Sequence, residues 1–250
     1  MTLDVVFSPR ELAAGEVSDR VVLVVDVLRA TSSICAALYH GARAVIAAAD
    51  AAEATRLEQA LGPSDVVLAG ERNMVRIPGF HLGNSPGEMT AEAVRGKTVV
   101  MTTTNGTLAL LATAGAREVV VASAVNLTRA GEFAQRALER DGDLLILCAG
   151  RQDGFGLDDA YIAGCLAARA LGGRRRRKGL NDAALVSVDL VSRYRDRTGR
   201  VLSLSRAGRE LTALGFRGDV ELAATVDAFP VLPIFHERRI TLAPDAPVPA

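Results

Sequence analysis

The chain has 250 residues, 49% of them hydrophobic and only 4% aromatic, with no Trp. Lys+Arg and Asp+Glu both number 29, so no net field draws the chain to nucleic acid or a membrane surface, and the scarcity of aromatics argues against a base-stacking face. The length suits one large α/β domain or two small lobes with a substantial core.

Leu3–Ser8 reads as a short strand stopped by Pro9, and Val21–Asp26 as a buried strand of β-branched residues. A helix follows over Thr31–Tyr39, ended by Gly41, then a strand over Ala44–Ala48. Asp50 and Glu53 form a capping pattern for a helix over Ala51–Ala60, and Val66–Ala69 is a strand. From Gly70 to Glu88 (GERNMVRIPGFHLGNSPGE) the period breaks; Ile77, Phe80 and Leu82 give this long loop apolar anchors, which favours an ordered, functional loop. Alternation then resumes. Strands are expected at Thr98–Met101, Glu118–Ala122 and Asp143–Cys148, and helices at Gly106–Ala114, Leu127–Arg140 and Leu157–Leu171. Gly172–Gly179 carries RRRRK, which reads as a solvated linker; Asn181–Tyr194 and Ser205–Leu214 look helical. Asp219–Ala224 and Val231–Phe235 are expected as strands, and the Pro- and Ala-rich tail beyond Ile240 is expected to fray. Alternating strands and helices imply an α/β fold, a largely parallel sheet with helices packed on it. The similar rhythm before and after about residue 125 raises two related lobes as an expectation, although no clean repeat is present.

Four apolar runs empty into small, polar or charged residues: VVLVVDVLRAT (Val21–Thr31), VVMTTTNGT (Val99–Thr107), VVVASAVN (Val119–Asn126) and LLILCAG (Leu144–Gly150). In open α/β sheets ligands bind beyond the carboxyl ends of strands, so these runs suggest one composite site at one sheet edge. Asp26 at such an end can hold a metal, act as general base or attack phosphorus. Arg29 offers a planar fork for phosphate or sulfonate oxygens, and Thr31 with the following helix start adds a hydroxyl and amides; the plain alternative is an Asp26–Arg29 ion pair. Thr102–Thr107 (TTTNGT) places Thr104, Asn105, Gly106 and Thr107 at a strand-to-helix turn suited to phosphate, although Thr and Asn also serve as ordinary caps. Asn84 and Ser85 in the long loop form a turn that could close over a ligand. Glu71, after a strand, and Asp159, in a first helical turn, are candidate ligands for Mg²⁺, with Asp158 more simply explained by the helix dipole.

Other chemistries lack their residues. Leu28 stands where an Asp-x-Asp-x-Thr phosphatase needs its second Asp, and Gly154 where a Cys-x5-Arg phosphatase with Cys148 needs Arg. There is no GxxxxGK[ST] and no HExxH. His40, His81 and His236 are scattered, and only His81 lies near a candidate site. The three Cys (Cys35, Cys148, Cys165) form no CxxC pair and read as buried thiols. With no charged-then-apolar leader and no membrane-length run, a cytoplasmic protein is expected.

DVLRATSS, GERNMVRIPGFHLGNSP, TTTNGT and CAG…GFGLDDAYIAG, in this order and spacing from about Val21 to Gly164, resemble the 2-phosphosulfolactate phosphatase (ComB-like) family. The resemblance implies a single catalytic unit over residues 1–250 with an α/β architecture, possible pairing of related lobes, and Mg²⁺-dependent hydrolysis of 2-phospho-3-sulfolactate to sulfolactate and phosphate, a step toward coenzyme M. It maps onto Asp26, Arg29, Ala30 and Thr31; onto Gly70, Glu71, Gly79, Phe80 and Gly83–Pro86; onto Thr103–Thr107; and onto Gly150, Asp159 and Gly164. Two positions depart from the family pattern. His81 stands where an acid is usual, and no Gly stands at Asn73–Val75, where one is often found.

The expected protein is therefore a Mg²⁺-dependent phosphatase of a small anionic phosphorylated acid, binding neither nucleic acid nor membrane. Its catalytic residues are Asp26 and Arg29, its substrate-binding residues Thr31, Asn84, Ser85, Thr104, Asn105, Gly106 and Thr107, and its metal ligands Glu71 and Asp159. The alternatives are a non-catalytic phospho-metabolite binder, favoured by His81, and a family member with a different 2-phospho acid. A weaker one is nucleic-acid binding through Arg174–Lys178. Oligomeric state is not readable from the sequence.

Overall fold

Val21–Val25 is buried at every position, which is how a strand covered on both faces reads in sequence. In the structure, a computed structural model describing residues 1–151, 154–174 and 177–243, it is one of ten strands in a single mixed sheet. These are β1 (Thr2–Val6), β2 (Val21–Val25), β3 (Ala44–Ala47), β4 (Val66–Arg72), β5 (Val75–Arg76), β6 (Thr98–Thr102), β7 (Glu118–Ala122), β8 (Asp143–Cys148), β9 (Pro233–His236) and β10 (Arg239–Leu242). The helices are α1 (Ala30–Tyr39), α2 (Ala51–Leu61), α3 (Ala91–Val94), α4 (Gly106–Leu111), α5 (Leu127–Asp141), α6 (Leu157–Ala170), α7 (Asp182–Tyr194), α8 (Thr198–Leu204), α9 (Arg206–Ala213) and α10 (Arg217–Ala223). The expected α/β class holds.

The strand order is β1-β8-β2-β7-β9-β10-β3-β6-β4-β5. β1, β8, β2 and β7 are mutually parallel, as are β3, β6 and β4. Between these blocks lies the antiparallel hairpin β9–β10, with antiparallel joins on both sides. Three successive reversals make the β3-β6-β4 block run opposite to the β1-β8-β2-β7 block. A single common sheet edge for all the carboxyl ends, as expected from sequence, is therefore not what forms. Twist resolves this: at about 20–25° per strand, the five steps from β2 to β6 turn the second block by roughly 100–125°. The carboxyl ends of β2 and β6 consequently meet, and a Cβ built on Gly106 would lie 2.6 Å from Asp26 Oδ2 and collide with the Ala30 side chain.

The packing follows from this shape. One core lies between β1, β2, β8 and helices α5–α7. A second fills the space enclosed by the two blocks around α1, whose Ala, Ser and Cys side chains are small enough for residues 30–38 all to be buried. A third, under α2, is closed by Ile77 and Phe80 from the long loop. That loop is ordered. β4 continues through Gly70 to Arg72, and Asn73–Met74 turn the chain into β5 with φ of 53° and 68°. Both turn positions are left-handed, as a two-residue hairpin turn demands, which gives a physical reason for a Gly near here in similar sequences.

Several expectations need correction. Asp219–Ala224 is not a strand but lies largely in α10: Asp219, Val220 and Ala223 are the buried positions, at helical spacing. The tail is ordered through β10 to Leu242; residues 244–250, like Arg175 and Arg176 of the basic run, lie outside the described residues. Helix α8 and strand β10 were not anticipated. Cys35 and Cys148 are buried thiols and Cys165 is half-buried; all three are unpaired.

Candidate active site

The converging carboxyl ends of β2, β4, β6 and β8 open into a cavity of about 550 Å³, roofed by the α8–α9 turn from the C-terminal third of the chain. Asp26, Arg29, Glu71, Asn84, Thr104, Asn105 and Asp159, all singled out in the sequence, line it together. Thr31, Ser85, Gly106 and Thr107 do not; Thr31 and Gly106 support Asp26, Ser85 supports the partner of Arg29, and Thr107 fixes the turn before α4. The Thr31 hydroxyl donates to the Asp26 carbonyl (2.8 Å). Ser85 donates to Asp219 (2.5 Å). Gly106 leaves room for the Asp26 carboxylate. Thr103 and Thr107 exchange side-chain and backbone hydrogen bonds that fix the turn (3.0 and 3.1 Å). The β7 end contributes nothing to the lining, because Ser123 bonds Ser32 and Asn126 is consumed by backbone partners.

Each acid is held differently. Asp26 Oδ1 accepts from the Ala30 amide (3.3 Å), and no bond among the described residues engages Oδ2. Glu71 accepts from the amides of Met74 and Thr104 (both 2.7 Å), tying the β4–β5 turn to the end of β6. Asp159 accepts from the amides of Val27 (2.9 Å) and Gly150 (3.2 Å), joining the ends of β2 and β8. Asp158 also lines the cavity, so the helix-dipole account of it is incomplete. Burial pushes the Asp26 carboxyl up to about 7; the Ala30 amide opposes this, and the charges of Asp158 and Glu71 add to it. Burial likewise raises Asp158 to about 6, with its own backbone amide and Arg151 opposing. Burial, then the neighbouring charges of Asp158 and Asp26, raise Asp159.

Arg29 does not pair with Asp26. It is buried, follows a cis Leu28–Arg29 peptide, donates to Asp219 (2.6 Å) and the Met74 carbonyl (2.7 Å), and stacks on Phe216 at 4.7 Å. Its charge is matched by a residue in the segment expected as a strand. His81 is half-exposed and outside the cavity; its Nδ1 accepts from the Leu68 amide (3.0 Å) and lies near Glu58. Its departure from the family pattern therefore does not touch the lining. Three buried polar atoms of lining residues have no partner among the described residues: Asn84 Oδ1, Thr104 Oγ1 and Arg151 Nε. Arg151, Ser205, Arg206 and Arg209 also line the cavity and had no motif to announce them, and Phe155, within GFGLDDAYIAG, was not singled out.

The 2-phosphosulpholactate phosphatase family model matches residues 6–238. The chain belongs to this family. A probable 2-phosphosulfolactate phosphatase of Symbiobacterium thermophilum is 38% identical over 92% of this chain and 97% of its own length. Similar proteins given the same name in Caldanaerobacter subterraneus (34%, covering 87% of this chain and 88% of theirs) and Thermotoga maritima (35%, covering 92% and 94%) also match. Membership places the chain among phosphoric monoester hydrolases, and the cavity described above takes lining residues from all four segments that carry the sequence resemblance. No helix among the described residues is long and apolar enough to cross a membrane.

Proposed function

We propose that the chain hydrolyses the phosphate ester of a small 2-phospho acid with the help of Mg²⁺, 2-phospho-3-sulfolactate being the substrate its family points to. The observation that carries this reading is Asp26: a buried carboxyl held near 7, with one oxygen unengaged, in a cavity sized for a small ligand.

The donor set suits Mg²⁺. Asp26, Glu71, Asp158, Asp159, the unpartnered Asn84 Oδ1 and Thr104 Oγ1 are all oxygen donors, with no imidazole or thiolate in the lining. Among the described residues no three His, Cys, Asp or Glu form a ready cage, in keeping with a cation that takes one or two carboxylates and fills its shell with water and substrate oxygens. Glu71 and Asp159, oriented by their amides, are the residues proposed to hold it. Bound there, Mg²⁺ would polarise the phosphoryl oxygens and relieve charge on the leaving oxygen.

The chain's own groups do the rest. Asp26, half-protonated near neutrality, takes a proton from the attacking water at Oδ2. Asn105 and the Thr104 hydroxyl orient the phosphoryl group. Arg29, immobilised by Asp219 and Phe216, keeps further guanidinium N–H donors for the charge that builds on the phosphoryl oxygens.

The test is phosphate release from 2-phospho-3-sulfolactate with Mg²⁺ and after chelation. Asp26→Asn should lower kcat by about 10²–10⁴-fold, the usual contribution of a positioned proton acceptor. Failure of the wild-type protein with Mg²⁺ to release phosphate from this ester or from other 2-phospho acids would remove the enzyme reading. The feature that favoured a non-catalytic binder, His81, lies outside the cavity.

A further inference from the structure

The cavity has two electrical sides. Asp26, Glu71, Asp158 and Asp159 come from strand ends and the first turn of α6, whereas Arg151, from the loop after β8, and the exposed Arg206 and Arg209, from α9, line the mouth. Arg29 belongs to neither, since Asp219 neutralises it. The three mouth arginines share one carboxylate among the described residues: Glu210 pairs with both Arg151 and Arg206, and Arg209 is bound to the Leu204 carbonyl. Among the described residues the mouth thus carries an excess of positive charge. Arg151 is mostly buried, at 20% side-chain exposure, and its Nε has no hydrogen-bond acceptor. A buried guanidinium N–H without a partner is costly unless something supplies an acceptor.

Resting on the phosphatase reading, we infer that Arg151, flanked by Arg206 and Arg209, forms a subsite for the non-transferring acid group of the substrate, a carboxylate or sulfonate, and so sets specificity for acidic over neutral phosphate esters. The acidic wall with its cation suits the phosphoryl end. It would repel a second anion, which must therefore lie toward the arginines. Arg151 joins the two walls: its charge is near enough to Asp158 to act on it, and its far end is held by Glu210. Guanidinium forks match both carboxylate and sulfonate oxygens.

Three esters separate the contributions: 2-phospho-3-sulfolactate carries both acid groups, 2-phospholactate only the carboxylate, and isopropyl phosphate neither. In Arg151→Gln the ratio of kcat/KM for the acidic esters to that for isopropyl phosphate should fall about ten- to a hundredfold, mainly through KM, as expected for loss of a charged hydrogen bond. Arg151→Lys should recover part of it. A larger fall with phosphosulfolactate than with phospholactate assigns the subsite to the sulfonate, and equal falls assign it to the carboxylate. Glu210→Gln, at a half-exposed position, should act in the opposite direction and tighten binding of acidic esters. An unchanged ratio in Arg151→Gln overturns the inference.

Binding is measured separately, by calorimetry with sulfolactate and lactate, which requires no turnover. Weaker binding of either by Arg151→Gln supports the subsite even if no ester is hydrolysed, in which case the phosphatase reading alone has failed. Equal binding by variant and wild type, or no binding of either acid by the wild type, rejects it.

Discussion

Asp26 makes the acidic wall's electrostatics measurable without any substrate. Its carboxyl is raised from 3.8 to about 7 chiefly by burial. A group whose native pKa exceeds its unfolded value binds more protons in the native state between those two values, so stability falls as pH rises through that window. For a shift from 3.8 to about 7, the penalty grows by about 2–3 kcal/mol between pH 5 and pH 8. Asp26→Asn carries no ionisation there and escapes the increase. For a chain of this size that is about 5–10 °C in Tm. The assay is thermal unfolding of chelator-treated protein across pH 5–8. Wild-type Tm should fall with rising pH, with Asp158 and Asp159 contributing because burial raises them as well. The Tm difference between Asp26→Asn and wild type should widen in favour of the variant by the amount above. A constant difference across the range would show that Asp26 ionises normally, and the proton-carrier role would fall with it.

The other expectations test neighbouring parts of the same account. Mg²⁺ should raise Tm more at pH 8 than at pH 5.5, because protons on Asp26 and Asp158 compete with it at the lower pH; an equal increment at both values would place the cation elsewhere. Gly106→Ala forces a methyl against Asp26 Oδ2 and Ala30, so it should cost about 1–3 kcal/mol by overpacking and depress kcat more than tenfold; normal kinetics would show that the two strand ends do not meet as described. Arg29→Ala strands the buried Asp219, and urea unfolding should report a loss of roughly 3–5 kcal/mol, against less than 1 kcal/mol if the pair were solvated. Gly164→Ala collides with the Ser187 carbonyl where α6 crosses α7. It should destabilise by about 1–3 kcal/mol while the folded fraction retains wild-type kcat, separating helix packing from the site.

What could be read from the sequence divides along physical lines. Continuous apolar runs such as Val21–Val25 and Asp143–Cys148 have one stable use, a strand covered on both faces, and their bounds were legible to within a residue or two. The Asp50 cap was equally local: its side chain accepts from the Glu53 amide (2.8 Å). The hairpin β9–β10 was only half legible, because Glu237 and Arg238 form its left-handed turn in place of the Asn-Gly pairs that announce such turns. That omission had a large consequence. The hairpin is what reverses strand sense between the two blocks, so without it four strand ends were assigned to one edge.

The same reasoning explains which half of the cavity was visible. Asp26, Glu71 and Thr104 each sit within two residues of a strand's end, where a charged or hydroxyl side chain is a local anomaly that burial alone does not require, and Asp159 stood out in the first turn of α6. Arg206, Arg209 and Asp219 sit in helix-rich sequence where charged residues are ordinary, and Arg151 in a loop between motifs; only the fold brings the three arginines to the mouth and Asp219 to Arg29. Asp219 shows how far this goes. Within DVELAA it looks like one polar residue in a short apolar run, yet it neutralises Arg29 from 190 positions away. That pairing offsets the charge of Arg29 while leaving it donors for the phosphoryl group, and the mouth arginines remain to meet any second negative charge. Specificity, on this account, resides in Arg151 of the loop after β8 and in helix α9, while proton transfer and phosphoryl binding reside at the ends of β2, β4 and β6, so substitutions in the two regions should separate KM for acidic esters from kcat.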